Sequence, residues 1–171
     1  KGMGLVSHVF DEQNLKQLKG YLALGHNRYS TSGDSKFDHA QPVIERLKNG
    51  ELIALAHNGN LPSTKKLKEF FKERKINISG INDSEMIARV VGVFMSEGNS
   101  LERAVKKAYP MFTGVFCLLL MDKQKIVVLR DSFGIRPLCL GKLNGGYVVA
   151  SETCALDIIG AKFLRDVRPG E

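Results

Sequence analysis

The sequence contains no tryptophan, five prolines and only three cysteines in 171 residues. The cysteines, Cys117, Cys139 and Cys154, form no C-x-x-C pair and are odd in number, which argues against a disulfide framework or a zinc site. Each lies among apolar neighbours, where a reduced cysteine acts as a small hydrophobe. That usage fits core packing in a reducing cytoplasm. No run approaches the length of apolar residues needed to cross a bilayer, so neither a spanning helix nor a membrane partner is expected. The opening Lys1-Gly2-Met3-Gly4 lacks the apolar segment of a secretory signal, and it lacks an initiator methionine. The chain is therefore expected to start inside a longer protein. Repeats, low-complexity tracts and Pro/Ser-rich linkers are absent, so residues 1–171 read as one domain.

Hydrophobic residues make up 43% and charged residues 25%, enough apolar material for a sizeable core. The net charge of +7 is concentrated in Lys65, Lys66, Lys68, Lys72, Arg74 and Lys75. Leu67, Phe70 and Phe71 recur there at helical spacing, so the basic residues fill the opposite, solvated face. No exposed aromatics interleave with them, and no nucleic-acid partner is expected.

Residues 2–10 read as a strand, and 12–18 as a short helix capped by Asp11. Residues 21–27 read as a second strand that ends in a polar cluster. Lys48-Asn49-Gly50 between the runs 43–47 and 51–56 is a hairpin signal. Helices are predicted over about 64–74, with Ser63 as cap; after Asp83, with Met86, Ile87, Val90, Val91 and Phe94 on one face; and from Leu101 to the stop at Pro110. The remainder is mostly β: apolar runs at 114–121, 126–129 and 147–150, a short helix near 154–159 and a strand near 163–167. Continuous apolar runs predict strands covered on both faces. Two stacked sheets with helices outside both, an α+β fold of four layers αββα, meet that need. A three-layer α/β sandwich would also do so, but the short strand–turn–strand spacings favour antiparallel hairpins.

Three polar clusters interrupt the pattern. In His26-Asn27-Arg28-Tyr29-Ser30-Thr31, the Arg28 fork suits a carboxylate, or a structural ion pair beside a turn. In His57-Asn58-Gly59-Asn60, an Asn amide beside a Gly N–H has the composition of an oxyanion hole, or of a common turn. In Asn82-Asp83-Ser84-Glu85, Asp83 either caps the following helix or binds an ammonium group. Dinucleotide, phosphate-loop and nucleophile-elbow motifs are missing, and the four histidines show no H-x-x-x-H spacing.

Taken together, an Arg for a carboxylate, an Asp for an ammonium and a donor pair for an oxyanion match the needs of an amino-acid amide. The runs 25–31, 56–61 and 83–85 resemble the glutaminase domain of class II glutamine amidotransferases. Arg130-Asp131-Ser132-Phe133-Gly134-Ile135-Arg136-Pro137-Leu138, Ala150-Ser151-Glu152 and the run 165–171 resemble, more narrowly, the amidophosphoribosyltransferases of purine synthesis. The resemblance implies an N-terminal-nucleophile hydrolase fold, αββα, in which an N-terminal Cys attacks glutamine and its own α-amino group serves as base. It matches Arg28 to the glutamine carboxylate, Asp83 to its ammonium, Asn58 and Gly59 to the oxyanion, and Thr31 to the loop that closes over the substrate. No Cys-Gly opening is present, and none of the three cysteines matches the nucleophile. The expectation is therefore an interior fragment that lacks the first strands and helix of the fold and is inactive by itself. Glutamine is the implied ligand, and the phosphoribosyltransferase domain of the same protein the implied partner, within a homo-oligomer. No cofactor is implied in this segment; magnesium would belong to the phosphoribosyltransferase domain, and an iron–sulfur cluster is left open. The Arg130, Asp131 and Arg136 run reads as a buried Arg–Asp pair that fixes strand geometry. A glutaminase domain with another acceptor, such as that of glucosamine-6-phosphate synthase, and a non-catalytic glutamine-binding module are the rival readings.

Overall fold

The hairpin forms where its turn residues stand. In the computed structural model, which describes residues 1–27 and 37–171, Gly50 takes a left-handed φ of 85°. Asn49 Oδ1 accepts from Glu51 N–H, and the turn closes with Leu47 N–H on Glu51 C=O at 2.8 Å. It joins β1 (Val43–Arg46) to β2 (Leu52–Ser63). β3 (Thr113–Met121) pairs along β2, and β4 (Ile126–Arg130) along β3, giving an antiparallel sheet in the order β1-β2-β3-β4. A second antiparallel sheet, in the order β6-β5-β7, is built from β5 (Cys139–Leu143), β6 (Gly146–Ala150) and β7 (Lys162–Asp166).

Helices cover both outer faces. On the first sheet lie α3 (Lys65–Glu73), α4 (Asp83–Ser96) and α5 (Leu101–Ala108); α6 (Thr153–Ile158) lies on the second. Three apolar layers result. Leu67, Phe71, Ile87, Val90 and Leu101 of the helices pack on Ile53, Leu55, Phe116, Leu118 and Leu120. Cys117, Leu119 and Val128 meet Leu138, Val149 and Val167 between the sheets. Leu156 of α6 packs on Cys139 and Ala161. β3 shows why its sequence does not alternate. Phe116, Leu118 and Leu120 face the helices while Cys117 and Leu119 face the other sheet, so both sides of the strand are apolar. This is the expected αββα arrangement.

Several expectations are corrected. Residues 2–10 form no strand: α1 (Val6–Val9) is one helical turn, closed by His8 and Val9 N–H groups on the Leu5 carbonyl. A β-prone run becomes a strand only against a ladder partner, and no described strand lies beside this one. Residues 21–27 likewise join no ladder among the described residues. α2 (Glu12–Gln17) forms as expected, with Asp11 and Asn14 in a reciprocal capping box. Thr64, not Ser63, precedes α3 as its cap residue. The run at 147–150 is only half covered and β7 is exposed throughout, because both strands are edges of a three-stranded sheet. Cys154 is exposed, whereas Cys117 and Cys139 are buried; all three are free thiols.

Arg130 and Asp131 serve backbone groups rather than each other. Buried Asp131, 1% exposed, accepts from the N–H groups of Phe116, Phe133 and Gly134 at 3.0, 2.8 and 3.1 Å. Arg130 donates to the carbonyls of Gly134, Arg136 and Val167. Together they tie the end of the first sheet to the crossing into the second. Asp131→Ala leaves three backbone donors without their acceptor and is expected to cost about 3 kcal/mol, with Asp131→Asn costing less. Urea unfolding measures this; a loss under about 1 kcal/mol for the alanine variant would contradict the tie.

Candidate functional site

β2 has twelve residues and β1 has four, so β2 runs on past the end of its neighbour. The β1 ladder stops at Val43, opposite Leu55. Beyond it, the backbone groups of β2 that point toward β1 need other partners. Those of His57 find them in the side chain of Gln41. Gln41 Oε1 accepts from His57 N–H at 2.6 Å, and Gln41 Nε2 donates to His57 C=O at 3.2 Å. Carrying the β1 register two residues back puts Gln41 opposite His57, so an amide side chain replaces a missing ladder residue. His26 Nε2 is also 3.2 Å from the His57 carbonyl. Four residues along β2, Leu61 N–H donates to Asp83 Oδ2 at 3.2 Å.

Gly59 lies midway between these two supports. It stands opposite Phe116 on β3, but Phe116 gives its N–H to Asp131 and accepts Asp131 N–H on its carbonyl. Gly59 and Phe116 are thus not a hydrogen-bonded pair, and the Gly59 N–H points toward the β1 side. No described strand pairs with it there. A side chain at Gly59 is excluded on packing grounds, since a Cβ would strike Val115 O and lie 2.6 Å from Phe116 Cα. Asn58, next to it, faces the space between the sheets. It lines a cavity of about 120 Å³ with Gly25, His26, Ala56, Cys117, Leu138 and Ser151.

Asp83 opens α4 but does not cap it. Asn82 is the cap: its side chain accepts from Glu85 N–H at 3.0 Å, and Glu85 returns the bond to Asn82 N–H at 2.7 Å. That box leaves the Asp83 carboxylate to accept from Leu61 N–H and Ser84 N–H. Of the two readings of Asp83, the cap is therefore corrected, and so is the turn reading of Asn58-Gly59, which lie within β2. The structure places Asn58 and Gly59 side by side in β2, and Asp83 at the start of α4, tied to the same strand through Leu61 N–H. The sequence-predicted Arg28 and Thr31 lie outside the described residues.

Three neighbours were given no role by the sequence reading, although His57 and Ser84 lie inside its polar clusters. Gln41 holds the His57 backbone. His57, 4% exposed, has its ring Nδ1 2.9 Å from Ser84 Oγ and 4.0 Å from Asp83 Oδ2. Ser84 is itself buried. The one available signal was a histidine at an inward position of β2, in phase with Ile53 and Leu55. Burial drives the His57 pKa down to about 4, with His26 and Arg136 adding to the effect and Asp83 opposing it. Cys117 in the cavity is pushed up to about 11 by burial, which keeps its thiol protonated and a poor nucleophile at neutral pH. Among the described residues, no group of three or more His, Cys, Asp or Glu could hold a metal ion.

An αββα sandwich with an amide–carboxylate edge of this kind defines a class, and comparison with known proteins agrees. Residues 26–157 match the glutamine amidotransferase domain family, and the chain belongs to that family. It is 42% identical to the amidophosphoribosyltransferase of Mycobacterium leprae, over all of this chain and 32% of that protein. Among solved structures it is similar to the Bacillus subtilis glutamine phosphoribosylpyrophosphate amidotransferase complexed with ADP and GMP. That match has 36% identity and a TM-score of 0.82, over 97% of this chain and 35% of the other. It is also similar to a structure described as the allosteric regulatory enzyme of purine biosynthesis, with 37% identity and a TM-score of 0.86, over 97% and 35%. The chain spans about a third of the length of the curated relatives it matches.

A histidine held neutral has a consequence for stability. Because the folded pKa of about 4 lies below the ordinary 6.5, the unfolded chain binds the extra proton first as pH falls. The contribution of His57 is full above pH 6.5 and is lost progressively down to about pH 4. Denaturant melts over that window should show a steeper loss for the native chain than for His57→Asn. Parallel curves would contradict the assignment.

Proposed function

We propose that this domain hydrolyses the side-chain amide of glutamine, and that it does so as the ammonia-producing part of an amidophosphoribosyltransferase. The observation that carries this reading is the gap on the β2 edge, where the Gly59 N–H stands between a clamped His57 and the Asp83 carboxylate. Two strand residues, from Gly59 to Leu61, span about 6.7 Å. The α-nitrogen and amide oxygen of glutamine are five bonds apart, roughly 6 Å when extended. A glutamine with its ammonium at Asp83 thus brings its amide oxygen to Gly59 N–H and the Asn58 side chain. Arg28 takes the α-carboxylate, and Thr31 belongs to the segment that covers the substrate.

The chemistry then needs a nucleophile. Burial leaves Cys117 and Cys139 with raised pKa values, so neither serves. By the family resemblance, the attacking thiol is the N-terminal Cys of the mature protein. The α-amino group of that Cys takes the thiol proton, the sulfur adds to the amide carbon, and the carbonyl electron pair moves onto oxygen. Asn58 Nδ2 and Gly59 N–H donate to that oxyanion. Collapse expels the amide nitrogen, which leaves as ammonia with a proton from the α-ammonium of that Cys. Water then cleaves the thioester to give glutamate and the free thiol. The ammonia displaces pyrophosphate from phosphoribosyl pyrophosphate in a phosphoribosyltransferase domain, where magnesium would be needed. A homo-oligomer in a reducing cytoplasm completes the proposal.

In the full-length protein, Asn58→Ala should lower kcat for glutamate release by about 10²–10³ with little change in KM, since its bond strengthens as charge develops. Arg28→Ala should chiefly raise KM, because the carboxylate it holds does not change during reaction. Normal kcat with a lowered melting temperature in Asn58→Ala would refute the oxyanion assignment.

A further inference from the structure

The mechanism above uses Asn58, Gly59 and Asp83, but these come from two elements separated in sequence, β2 and the start of α4. Something must hold the two in register to better than an ångström for one small ligand to bridge them. The group between them is His57. Its backbone is gripped on both polar atoms by Gln41, which fixes the strand immediately before Asn58. Its ring crosses to α4 and meets Ser84 Oγ at 2.9 Å, with Asp83 Oδ2 4.0 Å away. In the tautomer with the proton on Nδ1, which the nearby carboxylate favours, Nδ1–H donates to Ser84 Oγ. A charged ring would compete for Asp83 with the substrate ammonium, whereas burial keeps this one neutral. The other ring nitrogen, Nε2, is buried with no hydrogen-bond partner among the described residues, a cost that an apolar residue of similar size would avoid. Retaining an imidazole here is therefore unfavourable for packing alone and points to a role for its Nδ1 side.

We infer that His57 is the positioning residue of the site: clamped by Gln41 and bonded to Ser84, it sets the Asn58–Gly59 donors against the Asp83 carboxylate. It touches neither the substrate nor the reacting atoms. This inference rests on the glutaminase reading and deepens it, since the ligand feature it governs is recognition of the α-ammonium together with the amide.

The test uses the full-length protein and glutamate release, with L-glutamine and its des-amino analogue glutaramate as substrates. His57→Leu keeps the bulk and loses the bond. His57→Asn places an amide N–H near the position of Nδ1–H. The expected result is that His57→Leu lowers kcat/KM for glutamine at least 30-fold while kcat/KM for glutaramate falls much less, so that discrimination for the α-amino group shrinks. His57→Asn should restore most of it. Ser84→Ala should reproduce the loss, and His57→Leu/Ser84→Ala should be no worse than either alone. If His57→Leu has a lowered melting temperature but native kinetics per folded molecule, or loses both substrates equally, the inference is overturned. So it is if His57→Asn is no better than His57→Leu. Failure of the native protein to release glutamate at all would instead overturn the glutaminase reading.

Discussion

The site depends on an unequal pair of strands. A backbone N–H or C=O that leaves water must find a partner, and β2 carries several of them beyond the end of β1. At His57 the partner is a glutamine side chain, and at Leu61 it is an aspartate from a helix. Gly59 between them has its N–H turned to the same edge, where no described strand lies beside it. An edge with one backbone donor left open is thus built by satisfying the ladder on both sides of one position. The absent Cβ of Gly59 serves the same end, since β3 approaches too closely there for any side chain.

That edge can be rigid because the rest of the molecule immobilises β2. Its helix-facing residues, Ile53 and Leu55, are almost fully buried under α4, and β3 bonds along most of its length. β3 is held in turn by Asp131, which occupies both backbone polar groups of Phe116, the residue opposite Gly59. The Arg130–Asp131 run, read from sequence as an ion pair, therefore acts on the site through the ladder: it directs Phe116 toward β4 and leaves Gly59 facing the other way.

The layer order was legible in the sequence because burial on two faces leaves a composition signature. The unalternating apolar run of β3 and the one-sided helices α4 and α5 already implied sheet on sheet with helices outside. The signature failed where burial did: β6 is apolar enough to be read as core, yet it forms an edge of a narrow sheet. Residues 2–10 failed for a related reason, since their β-prone composition says nothing about whether a partner strand is present. At the site, Asn58, Gly59 and Asp83 were legible as chemistry but not as geometry, and each had a commoner local explanation in a turn or a cap. Gln41, His57 and Ser84 were not legible, because their roles come from register between elements and leave no spacing along the chain.

The central claim is that the Gly59 gap receives the side-chain end of a glutamine whose ammonium lies at Asp83. The most direct measurement is a crystal structure of the full-length protein with glutamate, the product of amide hydrolysis. The account predicts a side-chain carboxylate oxygen within hydrogen-bond distance of Gly59 N–H and Asn58 Nδ2, and the α-ammonium on the Asp83 carboxylate. Glutamate bound with these ends reversed, or bound elsewhere while Gly59 stays untouched, would contradict it.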